Sequence, residues 1–302
     1  MIHKEKALKL IAIYLYISDL YEKELKYQYQ RFSNNANPQF TDIEVLTIYV
    51  FVVSQQHYKT VKDIYNFTKD FLLSWFPKLP SYQQFDYRLN KLSAVWQKLS
   101  QMLLSSFVPS DCDFNISVVD SFPIVMCKGK NRAGKVAREV ADKGYCSTKN
   151  LYYFGLKLHN FGFRRKGTIP YPELLVLSPA SANDCTIFKQ EFDLFIFNKT
   201  IFADKIYIDE DFFNDRKQSQ NYQVLTPVKL VKGEPECLRK RDKAANDLFS
   251  RAVSSVRQPI ESFFNWINEK TDIQTASKVR STASLLVHVF AKIVAAFIYL
   301  IF

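Results

Sequence analysis

Hydrophobic positions recur at helical spacing through the first 110 residues and then change period. Leu10, Ile13, Tyr14, Ile17, Leu20 and Tyr21 fall three or four apart, the spacing of one helix face. TDIEVLTIYVFVV (41–53) begins with Thr41 and Glu44, three apart and ahead of an apolar run, which is a capping box. Ser81 and Gln84 repeat that signature after Pro80. Residues 1–110 therefore read as a helical domain, suited to DNA binding or dimerisation or equally to a plain bundle. No helix-turn-helix pattern is sharp enough to name.

From about residue 111 the apolar positions become β-branched and run in short stretches. FNISVVDSFPI (114–124) predicts a strand stopped by Pro123, and LYYFGLKLHNFGF (151–163) a second. ELLVLS (173–178), KTIFADKIYID (199–209) and YQVLTP (222–227) predict three more. NDCTIFKQEFDLFIF (183–197) predicts a helix capped by Asn183 or Asp184, and VRQPIESFF (256–264) another, with Pro259 first, Gln258 as cap and Glu261 third. Strands interleaved with helices give an α/β domain with one mixed sheet over 111–270. SLLVHVFAKIVAAFIYLIF (284–302) is long enough to span a bilayer, but His288 and Lys292 interrupt it. It reads as a buried helix, so 271–302 is expected to pack on the α/β domain and no membrane role follows.

Charge adds a partner to this outline. The 302-residue chain carries a formal +11 and a pI near 9.2, which points to a polyanion, most simply double-stranded DNA. Basic residues cluster in KGKNRAGKVAREVADK (128–143), six against two acids, and in KLVKGEPECLRKRDK (229–243), six against three. Both are expected as loops beside the sheet. Lys128, Lys130, Arg132, Lys135, Arg138, Arg239, Lys240 and Arg241 are the candidate phosphate contacts. The five cysteines form no C-x-x-C pair, so a zinc site is not expected. With no signal-peptide pattern in MIHKEKALKL, reduced thiols and a cytoplasmic location are expected.

Candidate chemistry lies at strand ends. Asp120 closes SVVD and Asp204 closes TIFAD. Carboxylates at the carboxyl edge of an α/β sheet sit where such sheets place ligands, and paired carboxylates suit Mg²⁺. Each is also an ordinary turn residue. Asp184 reads as a cap, Asp209–Asp211 as a solvated turn, and Asp209 is the substitute for Asp204 if the register differs.

In this order, the motifs resemble the DDE transposases of bacterial insertion sequences, most closely the insertion-sequence nine-eight-two group. VVDSFPI is similar to its first-acid motif and ADKIYIDEDF (203–212) to its second. RQPIESFFNWINE (257–269) is similar to its third, Arg-x-x-x-Glu on a helix. GYCSTKNLYYFGLKLH (144–159) and LLVLSPASANDCTIFK (174–189) resemble the segments between the acids. The pattern departs at Ser254 and Asn268, where related transposases often carry Tyr and Lys. The resemblance implies an RNase H-like catalytic domain whose triad is Asp120, Asp204 and Glu261. It also implies two Mg²⁺ ions, with Mn²⁺ able to substitute, and in-line cleavage of element ends followed by strand transfer. A homodimer on DNA is the implied assembly. Arg257 is placed to steady a phosphate or the acid. Lys205, His159 and Trp266 are placed near the site, the last two equally suited to a core role. An inactive, domesticated DNA-binding transposase and a stand-alone RNase H-like nuclease are the alternatives.

Overall fold

Local capping sets the helices of the first part. The structure, a computed structural model, describes residues 2–29, 38–132, 134–147, 149–229 and 236–302, without the side chains of Leu238 and Arg239. The Thr41 hydroxyl accepts from the Glu44 amide while the Glu44 carboxylate reaches back to the Thr41 amide, completing the predicted capping box of helix α2 (Asp42–Gln56). The Thr60 hydroxyl caps α3 (Val61–Phe71) by accepting from the Asp63 amide, and the Ser81 hydroxyl caps α4 (Tyr82–Lys91) by accepting from the Gln84 amide, without the reciprocal bond. α1 (Lys4–Lys23) buries Leu10, Ile13 and Ile17 of the predicted stripe, with Leu20 and Tyr21 half-buried and Tyr14 exposed.

The chain forms two compact units. The first comprises Met1–Phe107, Lys135–Glu139 and Ile267–Phe302. It holds α1 to α4, α5 (Ser93–Ser106) and a last helix, labelled α10 below. The last helix (Thr282–Ile301) is long and apolar enough to cross a membrane. It is instead largely buried, packed against α2 and α5. Segment 271–302, expected to pack on the catalytic domain, thus lies in the unit that holds the N-terminal helices. Its apolar faces match those of α2 and α5, which neither period nor charge reveals.

The second unit comprises Val108–Gly134 and Val140–Trp266. It contains one six-stranded mixed sheet: β1 (Cys112–Lys128), β2 (Asp142–Cys146), β3 (Leu151–Arg165), β4 (Tyr171–Pro179), β5 (Thr200–Phe202) and β6 (Gln223–Leu225). The order is β2-β3-β1-β5-β6, with β4 also paired to β3. β1 and β4 run antiparallel to β3, whereas β5 and β6 run parallel to β1 and to each other. This is the α/β, RNase H-like mixed sheet preceded by helices that the motifs imply.

On one face Val119, Ile201 and Ala203 pack with Phe161, Phe188 and Phe192. The two last begin and end the π turn (Phe188–Phe192) that continues α6 (Asp184–Ile187). β1 runs on through Pro123, which pairs with Lys157, so the proline does not stop it. The β5 pairing ends at Val118. Beyond that point β1 is an edge strand, where a missing N–H is tolerated.

Three helices complete the unit's chain order: α7 (Glu210–Ser219), α8 (Glu236–Arg257) and α9 (Pro259–Thr271), the last continuing into the first unit. α7 corrects the solvated turn expected at 209–211: the Asp209 carboxylate accepts from the Phe212 amide and starts the helix. α8 corrects the loop expected within 229–243. From Glu236 onward that stretch is helical, while 230–235 lie outside the described residues.

Candidate active site

The parallel pairing of β1 with β5 brings two acids level. Its last paired positions are Val118 and Phe202, and Asp120 and Asp204 each lie two residues further on. Side chains alternate along a strand, so Asp120 faces away from the Val119 core, while Asp204 lies just past the end of β5. Facing them are the end of α8 and the start of α9. Proline has no N–H and clashes with the preceding helical turn, so the helix breaks at Gln258 and restarts at Pro259, as the sequence predicts. The break leaves Arg257 at one helix end and Glu261 in the first turn of the next.

Arg257 joins the acids. Its Nη1 donates to Asp120 Oδ2 at 2.6 Å and its Nη2 to Glu261 Oε1 at 3.0 Å. Its Nε is buried and has no partner among the described residues. The Ser121 amide donates to Asp120 Oδ1 at 2.8 Å. Burial pushes the Asp120 carboxyl up to about 7, against the pull of Arg257 and the Ser121 amide and with the added repulsion of Asp204 and Asp184. Asp120 is thus a half-buried carboxylate beside two like charges, paired with the Arg257 guanidinium. Behind it, Phe122 stacks on Phe264 of α9 at 5.1 Å and 19°, so the strand carrying Asp120 and the helix carrying Glu261 are clamped by aromatic contact.

Asp184, expected as a cap, is not one. Asn183 caps α6 through the amides of Cys185 and Thr186. Asp184 instead accepts from Lys157 Nζ at 2.7 Å and from the Ser121 hydroxyl at 2.8 Å. Asp209 pairs with Lys189 besides capping α7, which gives it a structural role rather than that of a substitute for Asp204.

The remaining candidates are scattered. His159 is fully buried, its Nε2 paired with Ser178 Oγ at 2.7 Å, and burial lowers its pKa to about 4. It pairs in register with Ser121, one position past Asp120 and so on the opposite face, which makes it a sheet histidine. Trp266 packs by Phe263 at 6.1 Å, and Lys205 is exposed. Lys128, Lys130 and Arg132 are exposed in the second unit, with Lys130 above the Tyr152 ring. Lys135 and Arg138 belong to the first unit. Lys240 pairs with Glu236 and Arg241 with Asp242 along α8; the side chain of Arg239 lies outside the described residues.

Sequence reasoning missed two neighbours. Asn160 stands opposite Asp120 in the β1–β3 register, fully buried, with neither amide atom paired among the described residues. Lys157 and Asp184 form the second ion pair beside β1. Alternation along LKLHN places Asn160 on the face of Asp120, but its opposition to that residue depends on strand register.

Among the described residues no group of three His, Cys, Asp or Glu side chains is assembled to hold a metal. The donor chemistry nevertheless fits a hard dication: Asp120, Asp204 and Glu261 offer only carboxylate oxygens, and Asp120 stands beside two like charges. The family model of the transposase DDE domain matches residues 112–298. No curated protein and no solved structure matches the chain.

Proposed function

Because the chain belongs to the transposase DDE domain family, we propose that it cuts DNA at the ends of an insertion sequence and joins those ends to a target by in-line phosphoryl transfer. The observation that carries this reading is the level placement of Asp120 and Asp204 on adjacent parallel strands, with Arg257 linking Asp120 to Glu261. Asp120, Asp204 and Glu261 would hold the divalent ions, Mg²⁺ or Mn²⁺ in its place. These supply the Lewis acidity that activates a water or 3′-hydroxyl and stabilises the leaving oxygen.

The chain's own residues prepare that site. The Ser121 amide fixes one oxygen of Asp120, and Arg257 orients the other together with Glu261. The Phe122–Phe264 stack holds α9 at its station. Exposed Lys128, Lys130 and Arg132 supply positive charge for phosphates in double-stranded DNA, and a homodimer working on two ends is the proposed assembly.

The test is incubation of the purified chain with Mg²⁺ and DNA carrying the terminal repeats that flank its reading frame, scored for strand cleavage and for joining to a target plasmid. Cleavage at the repeat ends with joined product supports the reading. Cleavage indifferent to end sequence, with no joining, would make it a nuclease.

A further inference from the structure

Within the first unit, α3, α4, α10 and the segment before α10 enclose a cavity of about 680 Å³. Five basic side chains line it, Lys59, Lys62, Lys278, Arg280 and Lys292, against two aspartates, Asp86 and Asp272. None of the five makes an ion pair among the described residues. Lys292 is the unusual one. It is 2% exposed, and its Nζ donates to the backbone carbonyl of Asp272 at 3.0 Å rather than to a carboxylate. Burial and the neighbouring Lys59 lower its pKa to about 8, against the opposing pull of the Asp272 carboxylate.

Helix ends add to the positive field. Thr60, the cap of α3, and Val61 and Lys62 of its first turn line the cavity. So do Ser281, the cap of α10, and Ser284. The first-turn amides of two long helices therefore contribute their partial positive charge to the same space. Tyr82 and Asn90 on α4 add further polar groups. Nothing in the triad of the second unit uses these residues.

We propose that this cavity is a phosphate-binding site, distinct from the carboxylate site, in which Lys62, Arg280 and Lys292 receive a phosphate group. Phosphate suits it because it brings negative charge to a lining with five cations against two aspartates, together with several acceptor oxygens for lysine, arginine and helix amides. The group arrives either on a DNA backbone or on a free polyphosphate.

Calorimetric titration of the full chain with inorganic pyrophosphate, and separately with a short duplex, tests this. EDTA is present so that no divalent ion bridges phosphate to the acidic triad. The wild-type chain is expected to bind, and Lys62→Ala/Arg280→Ala to bind at least tenfold more weakly with an unchanged circular dichroism spectrum. Lys69→Ala/Lys78→Ala, exposed positions outside the cavity with the same loss of charge, is expected to bind like wild type. Lys292→Met is expected to lose binding without a fall in melting temperature. Pyrophosphate binding lost in the cavity variant identifies a free polyphosphate as sufficient. Duplex binding alone, lost in that variant, identifies the DNA backbone as the source. Absence of binding to both, or equal weakening by the two double variants, overturns the proposal.

Discussion

Arg257 donates to Asp120 at 2.6 Å across 137 residues of sequence. The contact ties the last residue of α8 to β1, and through the second guanidinium nitrogen it includes Glu261. The arginine is thus the positive charge that holds two acids in place. Replacing it with alanine strands a mostly buried carboxylate beside Asp204 and Asp184. Arg257→Ala is expected to lose about 2 kcal/mol of stability, measured by urea unfolding at pH 8. Arg257→Lys, which keeps the charge but loses the two-pronged geometry, is expected to recover part of it.

Phe264 reports on the docking of α9. Its stack on Phe122 fixes the helix that presents Glu261. Phe264→Ala is expected to cost about 3 kcal/mol in unfolding free energy. Phe264→Leu, nearly matched in volume, is expected to fold and yet cleave more slowly, because the leucine no longer stacks. Kinetics on the folded variant check this; wild-type rates from it would detach the stack from the site.

His159 makes acid stability testable. Its folded pKa of about 4 lies below the ordinary 6.5 because of burial. The contribution is fully present above pH 6.5. It is lost as pH falls to about 4, where the unfolded chain takes up the proton first, for a total on the order of 3 kcal/mol. Unfolding free energies at pH 7.5 and pH 4.5 should differ less in His159→Gln than in the wild-type chain.

The capping box of α2 has a smaller, local effect. Thr41→Ala removes the acceptor of the Glu44 amide and is expected to destabilise the first unit by about 1 kcal/mol, seen as a lower melting temperature.

What the sequence revealed divides along the range of the interactions. The caps at Thr41 and Ser81 and the restart at Pro259 were legible because each is settled within four residues. Asp204 was legible as an acid just past a strand end, whereas Asp120, also read as a strand-end acid, lies mid-strand because β1 runs on to Lys128. That they stand level required the β1–β5 register, which no local pattern carries. The same is true of Asn160 opposite Asp120. α7 was hidden because three consecutive acids read as a turn, although the first of them is the helix cap. The reach of β1 past Pro123 was hidden because only the early end of β5 makes that position an edge. His159 drew attention as titratable chemistry, and its burial against Ser178 gives it a structural role.

The account depends most on Glu261, which is both a first-turn helix acid and the third carboxylate of the triad. Glu261→Gln keeps the shape and a hydrogen-bond acceptor for Arg257, so a purely helix-starting role predicts near-normal cleavage. A metal-holding role predicts a loss of about 100-fold or more with the melting temperature little changed. Mg²⁺-dependent cleavage of end-bearing DNA by the folded Glu261→Gln chain is the direct measurement. Loss of cleavage is the expected result, and cleavage at the wild-type rate would contradict the assignment of Glu261 to the active site.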